Sequence, residues 1–256
     1  MNLGLIDKKV FISGSSRGLG FFIAKQLLKE GCYVAINGKN KSRLEAGFKL
    51  LNNEYKNKVI KIQGDMSFPS EASRAIKNVI KVFGSLDILV CNVGSGISVP
   101  PGFETYNEWQ KSFSTNLWSA TNLIEEAKDY LILSKGNILC ISSICGIEVI
   151  PGAPVTYSVA KSALNAYVKG ISKPLGKKGV RINAIAPGNL FFEGSTWEKK
   201  IKLDKHKVMK MLKDEVPLSR FGSPEEIANW AAWIVSNKSS FSTGVIYRID
   251  GGQLRS

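Results

Sequence analysis

With 256 residues and 44% hydrophobic content, the chain is long enough for one large α/β domain or two small ones around a full core. No apolar run reaches the ~18 residues of a membrane span, and Met1-Asn2-Leu3-Gly4-Leu5-Ile6-Asp7-Lys8-Lys9 meets charge before any long apolar stretch, unlike a secretory signal, so a cytoplasmic protein without a membrane partner is expected. The net charge of +14 would suit nucleic acid, acidic lipid or anionic substrates, but the lysines are scattered and no nucleic-acid motif accompanies them; the reading is a diffusely basic surface with no nucleic-acid partner.

The first apolar strand, Val10–Ser13, runs into the glycine-rich turn Ser13-Gly14-Ser15-Ser16-Arg17-Gly18-Leu19-Gly20, and a helix over Leu19–Glu30 follows. A second strand, Tyr33–Asn37, precedes a helix at Lys41–Glu54, and a third, Val59–Gln63, precedes one at Pro69–Phe83. Ile88–Cys91 leads to a long helix over Tyr106–Leu131, and Ile138–Ser142 to one over Val155–Lys173. Val180–Ile185 opens a longer excursion before the helix at Pro224–Ser236 and the last strand, Val245–Ile249. Such alternation predicts parallel strands joined by crossover helices and covered on both faces. Seven strands without a Pro/Ser-rich linker or internal repeat predict one α/β domain over residues 1–256, a Rossmann-type doubly wound parallel sheet. Its ligand crevice should open beyond the carboxyl ends of the strands. Pro174 should clash with the Gly170 carbonyl and bend the helix that carries it.

The excursion at 189–216 is too long for an ordinary loop and has its own helical period. Leu190, Phe191, Phe192, Trp197, Ile201, Leu203, Val208, Met209 and Leu212 give it an apolar face opposite its lysines. It is either a substrate lid or a helical pair that merely caps the core. The four cysteines, Cys32, Cys91, Cys140 and Cys145, form no Cys-x-x-Cys pair and read as small core residues. A single histidine, His206, without an acidic or cysteine cluster argues against a metal site and a serine–histidine hydrolase.

A strand that enters a glycine-rich turn and then a helix receives phosphates, because glycine permits close approach and the helix start offers free N–H groups. The second strand selects the nucleotide. A dinucleotide without a 2′-phosphate is held by Asp or Glu about twenty residues after the turn, and none stands between Gly31 and Leu44. Asn37-Gly38-Lys39-Asn40-Lys41 ends that strand instead, and Arg17 lies in the turn, which favours NADP(H) over NAD(H). Further on, Tyr157 and Lys161 stand four apart on one helix face, with Ser143 fourteen residues upstream. A neighbouring ammonium favours phenolate, so Lys161 should pull Tyr157 below its ordinary pKa of about 10. A tyrosine so placed exchanges a proton while a nicotinamide exchanges a hydride.

In order and spacing these motifs resemble the short-chain dehydrogenase/reductase family from the first strand to the C-terminus, and within it 3-oxoacyl-[acyl-carrier-protein] reductase-like members. Ser13–Gly20 resembles that family's Thr-Gly-x-x-x-Gly-x-Gly, and Asp65 with Met66 matches its adenine contact. Cys91-Asn92-Val93-Gly94 resembles Asn-Asn-Ala-Gly, with Cys91 and Val93 departing from it. Asn116, Ser143, the Tyr157-x-x-x-Lys161 pair and Pro187-Gly188 complete the set.

The resemblance implies Tyr157 as general acid in reduction and general base in oxidation, with Lys161 lowering its pKa and holding the nicotinamide ribose. It implies Ser143 on the substrate oxygen and Asn116 holding a water that relays protons from Lys161. Gly14, Ser16, Arg17, Gly18, Leu19, Gly20, Asn37, Lys39, Asp65, Met66, Asn92, Gly94, Pro187 and Gly188 would bind the dinucleotide. The threonine common after Pro-Gly is missing, because Asn189-Leu190-Phe191-Phe192-Glu193-Gly194 precede Ser195 and Thr196. A homotetramer or homodimer follows from the same resemblance. The pocket is expected from Ser95–Pro100, Glu148–Ile150 and the 189–216 excursion. A 3-oxoacyl thioester, a sugar, polyol or other hydroxylated metabolite, and a silent dinucleotide-sensing role all remain open on these residues.

Overall fold

Seven strands form: β1 Lys9–Ile12, β2 Tyr33–Gly38, β3 Val59–Gln63, β4 Ile88–Cys91, β5 Asn137–Ile141, β6 Arg181–Pro187 and β7 Ile246–Ile249. In the computed structural model they make one parallel sheet in the order β3-β2-β1-β4-β5-β6-β7. The structure describes residues 2–254, so Met1 and the last two residues of the expected 1–256 domain lie outside it.

The central strands are short apolar runs because both faces are covered. On one face Val10, Ile12, Val34 and Val90 pack with Ile23 and Leu27 of α1 (Gly18–Lys29), Leu51 of α2 (Lys41–Glu54) and Ile227 of α9 (Pro224–Val235). On the other, Phe11, Leu89 and Ile138 meet Ile76 of α3 (Pro69–Phe83), Leu123 of α5 (Ser119–Ser134) and Leu164 of α6 (Val155–Gly176). Strand order reverses between β1 and β4, and this switch point leaves a crevice above their carboxyl ends. Among the described residues no helix is long and apolar enough to cross a membrane.

Three expectations change. The helix predicted over Tyr106–Leu131 is α4 (Tyr106–Phe113), one π turn (Ser114–Trp118) and α5. A π turn is costly within a helix and marks functional positions; this one holds Asn116. Helix α6 runs past Pro174 to Gly176, since the proline removes only the one hydrogen bond that the exposed Gly170 carbonyl would accept. The 189–216 excursion forms α7 (Thr196–Leu203), capped by Ser195, and α8 (Lys205–Glu215), capped by Asp204. Its apolar face is narrower than predicted: Val208 and Leu212 are buried, whereas Leu203, Met209 and Phe191 are exposed.

Candidate active site

The glycine turn is clamped from two strand ends. Asn92, just past β4, donates its amide to the Ser13 and Gly14 carbonyls at 3.1 and 2.9 Å. Asn37 in β2 accepts from the Gly14 N–H at 3.0 Å and donates to the Ile62 and Gly64 carbonyls at 2.9 and 3.1 Å. Both asparagines were expected on the dinucleotide; both line the cleft, and their side chains brace the turn. Gly14 and Gly18 have φ of 62° and 59°, which glycine adopts without strain.

A Cβ on Gly20 would collide with Asn92 Nδ2 and stand 2.7 Å from the Gly14 carbonyl oxygen. Gly20→Ala should therefore lower stability by roughly 1–3 kcal/mol and weaken dinucleotide binding about tenfold or more, the cost of a shifted positioning contact. Thermal melting and a binding titration check this; unchanged values would contradict the tight fit. Helix α1 opens at Gly18 with no side-chain cap and no acidic residue in its first turn. Its free N–H groups and positive dipole end suit an anion.

At the far end of the crevice Lys39 and Asp65, expected to contact different parts of the nucleotide, pair with each other at 3.2 Å. Burial alone would raise the Asp65 carboxyl, but hydrogen bonds from Ser67 and the Lys39 ammonium outweigh it and hold the group below its ordinary range. Arg43 and Asn40, which follow Lys39 closely in the chain, also line the cleft, and the sequence reading missed both. Arg43 is the third residue of α2, and Asn40 caps that helix by accepting the Arg43 N–H at 2.9 Å. A cation in the first turn, set against the helix dipole, was the signal available.

At the other end, Tyr157 and Lys161 project from α6 toward the end of β5. Lys161 is 2% exposed, and its ammonium donates to the Ile141 carbonyl at 2.8 Å. Burial drives its pKa down to about 8. Tyr157 moves opposite to expectation: burial pushes the phenol up to about 12, a hydrogen bond from Ser143 resists this, and Cys145 adds to it. Helical spacing brings the pair near, but Lys161 extends to β5 rather than to the phenol. The Ser143 hydroxyl also accepts the Cys145 N–H at 3.1 Å.

Asn116, expected to hold a water, uses its side chain on the neighbouring loop. Its Oδ1 accepts from the Ser95 N–H at 2.8 Å, and its amide donates to the Ser95 and Ser112 carbonyls at 3.1 and 3.0 Å. A Cβ on Gly94 would stand 3.0 Å from Lys161 Nζ and 3.2 Å from Asn116 Oδ1. The absence of a side chain there lets the three meet at one wall.

A continuous cleft of about 700 Å³ joins the two ends, within the size range of cofactor sites. Every predicted site residue lines it except Gly20, Ser143 and Gly188. Gly20 packs on Asn92 and the Gly14 carbonyl, Ser143 is hydrogen-bonded to the phenol, and Gly188 packs on the Asp250 backbone, 2.8 Å from a would-be Cβ to its Cα. Glu148–Ile150, expected in the pocket, do not line this cleft; Glu148 and Ile150 are half-buried and Val149 is 92% exposed. Ser95–Ser98 and the start of the excursion do line it. Ser142, the neighbour of Ser143, also lines the cleft and has a buried hydroxyl without a hydrogen-bond partner among the described residues.

The residues fit a dinucleotide: a cradle that side chains would fill, an uncapped helix start, and cations at the far end. Comparison with known proteins agrees. A family model described as enoyl-(acyl carrier protein) reductase matches residues 14–253. The chain is 33% identical to the 3-oxoacyl-[acyl-carrier-protein] reductase of Chlamydia muridarum, covering 98% of this chain and 99% of that one. It is 30% identical to glucose 1-dehydrogenase 2 of Bacillus subtilis, over 97% and 95% of the two chains. L-Sorbose reductase from Gluconobacter frateurii, solved with NADPH and L-sorbose, superposes with a TM-score of 0.93 at 28% identity over all of both chains. The chain belongs to the short-chain dehydrogenase/reductase family, oxidoreductases that move a hydride between a nicotinamide cofactor and a carbonyl or secondary alcohol.

Proposed function

We propose that the protein reduces a ketone with NADPH, a 3-oxoacyl thioester being the first candidate substrate. One observation carries this reading: Tyr157, Lys161 and Ser143 cluster at one end of a cleft whose other end is an uncapped, glycine-cradled helix start. A bound nicotinamide supplies the hydride. Tyr157, kept protonated by burial at neutral pH, donates the proton that the carbonyl oxygen needs. Ser143 orients the phenol with its one O–H, which it gives to the Tyr157 oxygen. Lys161, fixed by Ile141 and with a pKa of about 8, holds a proton exchangeable near neutrality. Asn116 shapes the wall beside it by fastening Ser95.

NADP(H) over NAD(H) is supported by Lys39 and Arg43 around the far end and by Arg17 on the glycine turn, with no carboxylate at the end of β2. The paired Asp65 tempers Lys39 alone. The double variant Lys39→Ala, Arg43→Ala should weaken NADPH binding by roughly 10- to 100-fold, the worth of about one hydrogen bond to a charged group, because Lys39 is already paired with Asp65. NADH binding should change less than about threefold, since it lacks the charge these groups meet. Equal losses for both nucleotides would contradict the preference.

A second reading, reduction of a ketose or other hydroxylated metabolite, is favoured by the polar substrate wall. Ser98 bonds Thr156 at 2.8 Å and Glu108 at 3.4 Å there. The strap before α7 would act as the lid, since Leu190, Phe192, Ser195 and Thr196 face the cleft. A homotetramer or homodimer is supported by Tyr106, Trp118 and Val159, exposed on α4, the π turn and α6. NADPH oxidation against 3-oxoacyl thioesters and ketoses decides between the substrates, and turnover of neither class would count against reduction.

A further inference from the structure

Helix α1 begins at Gly18, and the space directly over that residue is filled by the ring of Phe192. A Cβ on Gly18 would stand 3.0 Å from Cε2 and 3.4 Å from Cζ of that ring, so the ring rests on the turn. Two residues on, Gly194 faces the Arg17 guanidinium, with Nη1 3.4 Å from the position of a Cβ. The strap that carries them is short and tied at both ends. Leu190 bridges to Gly222, and the Phe191 N–H donates to the Gly222 carbonyl at 3.1 Å. Ser195 caps α7 by accepting the Glu198 N–H at 3.1 Å. Between these ties Gly194 has φ of 77°, a conformation open mainly to glycine and a natural pivot.

A phenyl ring has no hydrogen-bond acceptor for the free N–H groups at a helix start, whereas a phosphate satisfies them. Ring and phosphate therefore want the same few ångströms of space. The side chain responsible stands in the segment after Pro187-Gly188, where the expected threonine is missing.

We propose that Phe192 competes with the dinucleotide for the glycine turn, so that the 191–195 strap has to open before the phosphates reach α1. The proposal rests on the cofactor reading above and adds a step to it: opening of the strap sets the rate of cofactor entry. A binding-competent state populated only in part lowers both apparent affinity and on-rate.

Stopped-flow fluorescence with NADPH tests this on the wild type, Phe192→Ala and Phe192→Leu, with melting curves to confirm that each is folded. The wild-type observed rate should saturate as NADPH rises, because opening becomes limiting. In Phe192→Ala it should rise linearly, and NADPH should bind about 3- to 10-fold tighter as the competing state is removed. Phe192→Leu, which keeps apolar bulk at lower risk to folding, should fall between. The same linear dependence in all three proteins would overturn the proposal, as would weaker binding in Phe192→Ala, which would make the ring part of the binding surface. Failure of the wild type to bind NADPH at any concentration would instead overturn the cofactor reading itself.

Discussion

Tyr157→Phe should lower turnover by at least about 10²-fold, the worth of a positioned general acid, while leaving NADPH binding within about threefold because only one hydrogen-bonding group is removed. The variant deletes one oxygen and keeps the ring, so the packing of α6 should be unchanged. The separation of the two readouts is what identifies chemistry. A loss in binding as large as the loss in turnover would point to a scaffold role. The direction of the Tyr157 shift also gives a pH signature. With burial pushing the phenol up to about 12, the acid form persists through neutrality. Reduction should therefore not fall below pH 8 through loss of the phenolic proton, whereas oxidation, which needs the base form, should gain as pH rises. A reduction rate that declines through neutrality in step with phenolate formation would contradict this assignment.

Lys161→Met should be nearly inactive yet more stable than the wild type at pH 7. The reason is the charge buried behind the tyrosine. The folded state lowers the Lys161 pKa from 10.5 to about 8 through burial. Below pH 8 both states carry the proton, and the folded state bears the full cost of holding it out of water. Between about 8 and 10.5 the folded protein has released that proton and the unfolded chain still binds it, so the wild type gains stability with rising pH. The whole gain is on the order of 3 kcal/mol. The melting advantage of Lys161→Met should thus be largest at pH 7 and shrink through that window. The hydrogen bond to Ile141 offsets part of it. A destabilised variant with a constant offset at every pH would show that the buried ammonium carries no such cost.

Much of the architecture was legible because its causes are local. β1, β4 and β5 are covered on both faces, and that requirement writes continuous apolar runs such as Ile88-Leu89-Val90-Cys91. The glycine turn is equally visible, since Gly14, Gly18 and Gly20 are each demanded by backbone geometry or close approach. What the residues concealed depends on where long side chains end. Four-residue spacing placed Lys161 near Tyr157 but could not show that its ammonium ends on the Ile141 carbonyl, so the expected lowering of the phenol became a raising. Asn37 and Asn92 read as dinucleotide contacts and Asn116 as the holder of a water; that their side chains also brace the glycine turn and the Ser95 loop is decided by tertiary partners. Lys39 and Asp65 meet only because β2 and β3 are neighbours. The π turn at Asn116 left no trace in the helical period, and Phe192 read as one apolar residue among several until the fold laid it on Gly18.

The central claim, a nicotinamide-dependent carbonyl reductase, is tested most directly by titrating the protein with NADPH and following NADPH oxidation on addition of 3-oxoacyl thioesters and ketoses. Saturable NADPH binding with turnover of one substrate class, abolished in Tyr157→Phe, is the predicted result. Absence of dinucleotide binding in the folded wild-type protein, or turnover that survives Tyr157→Phe undiminished, would contradict it.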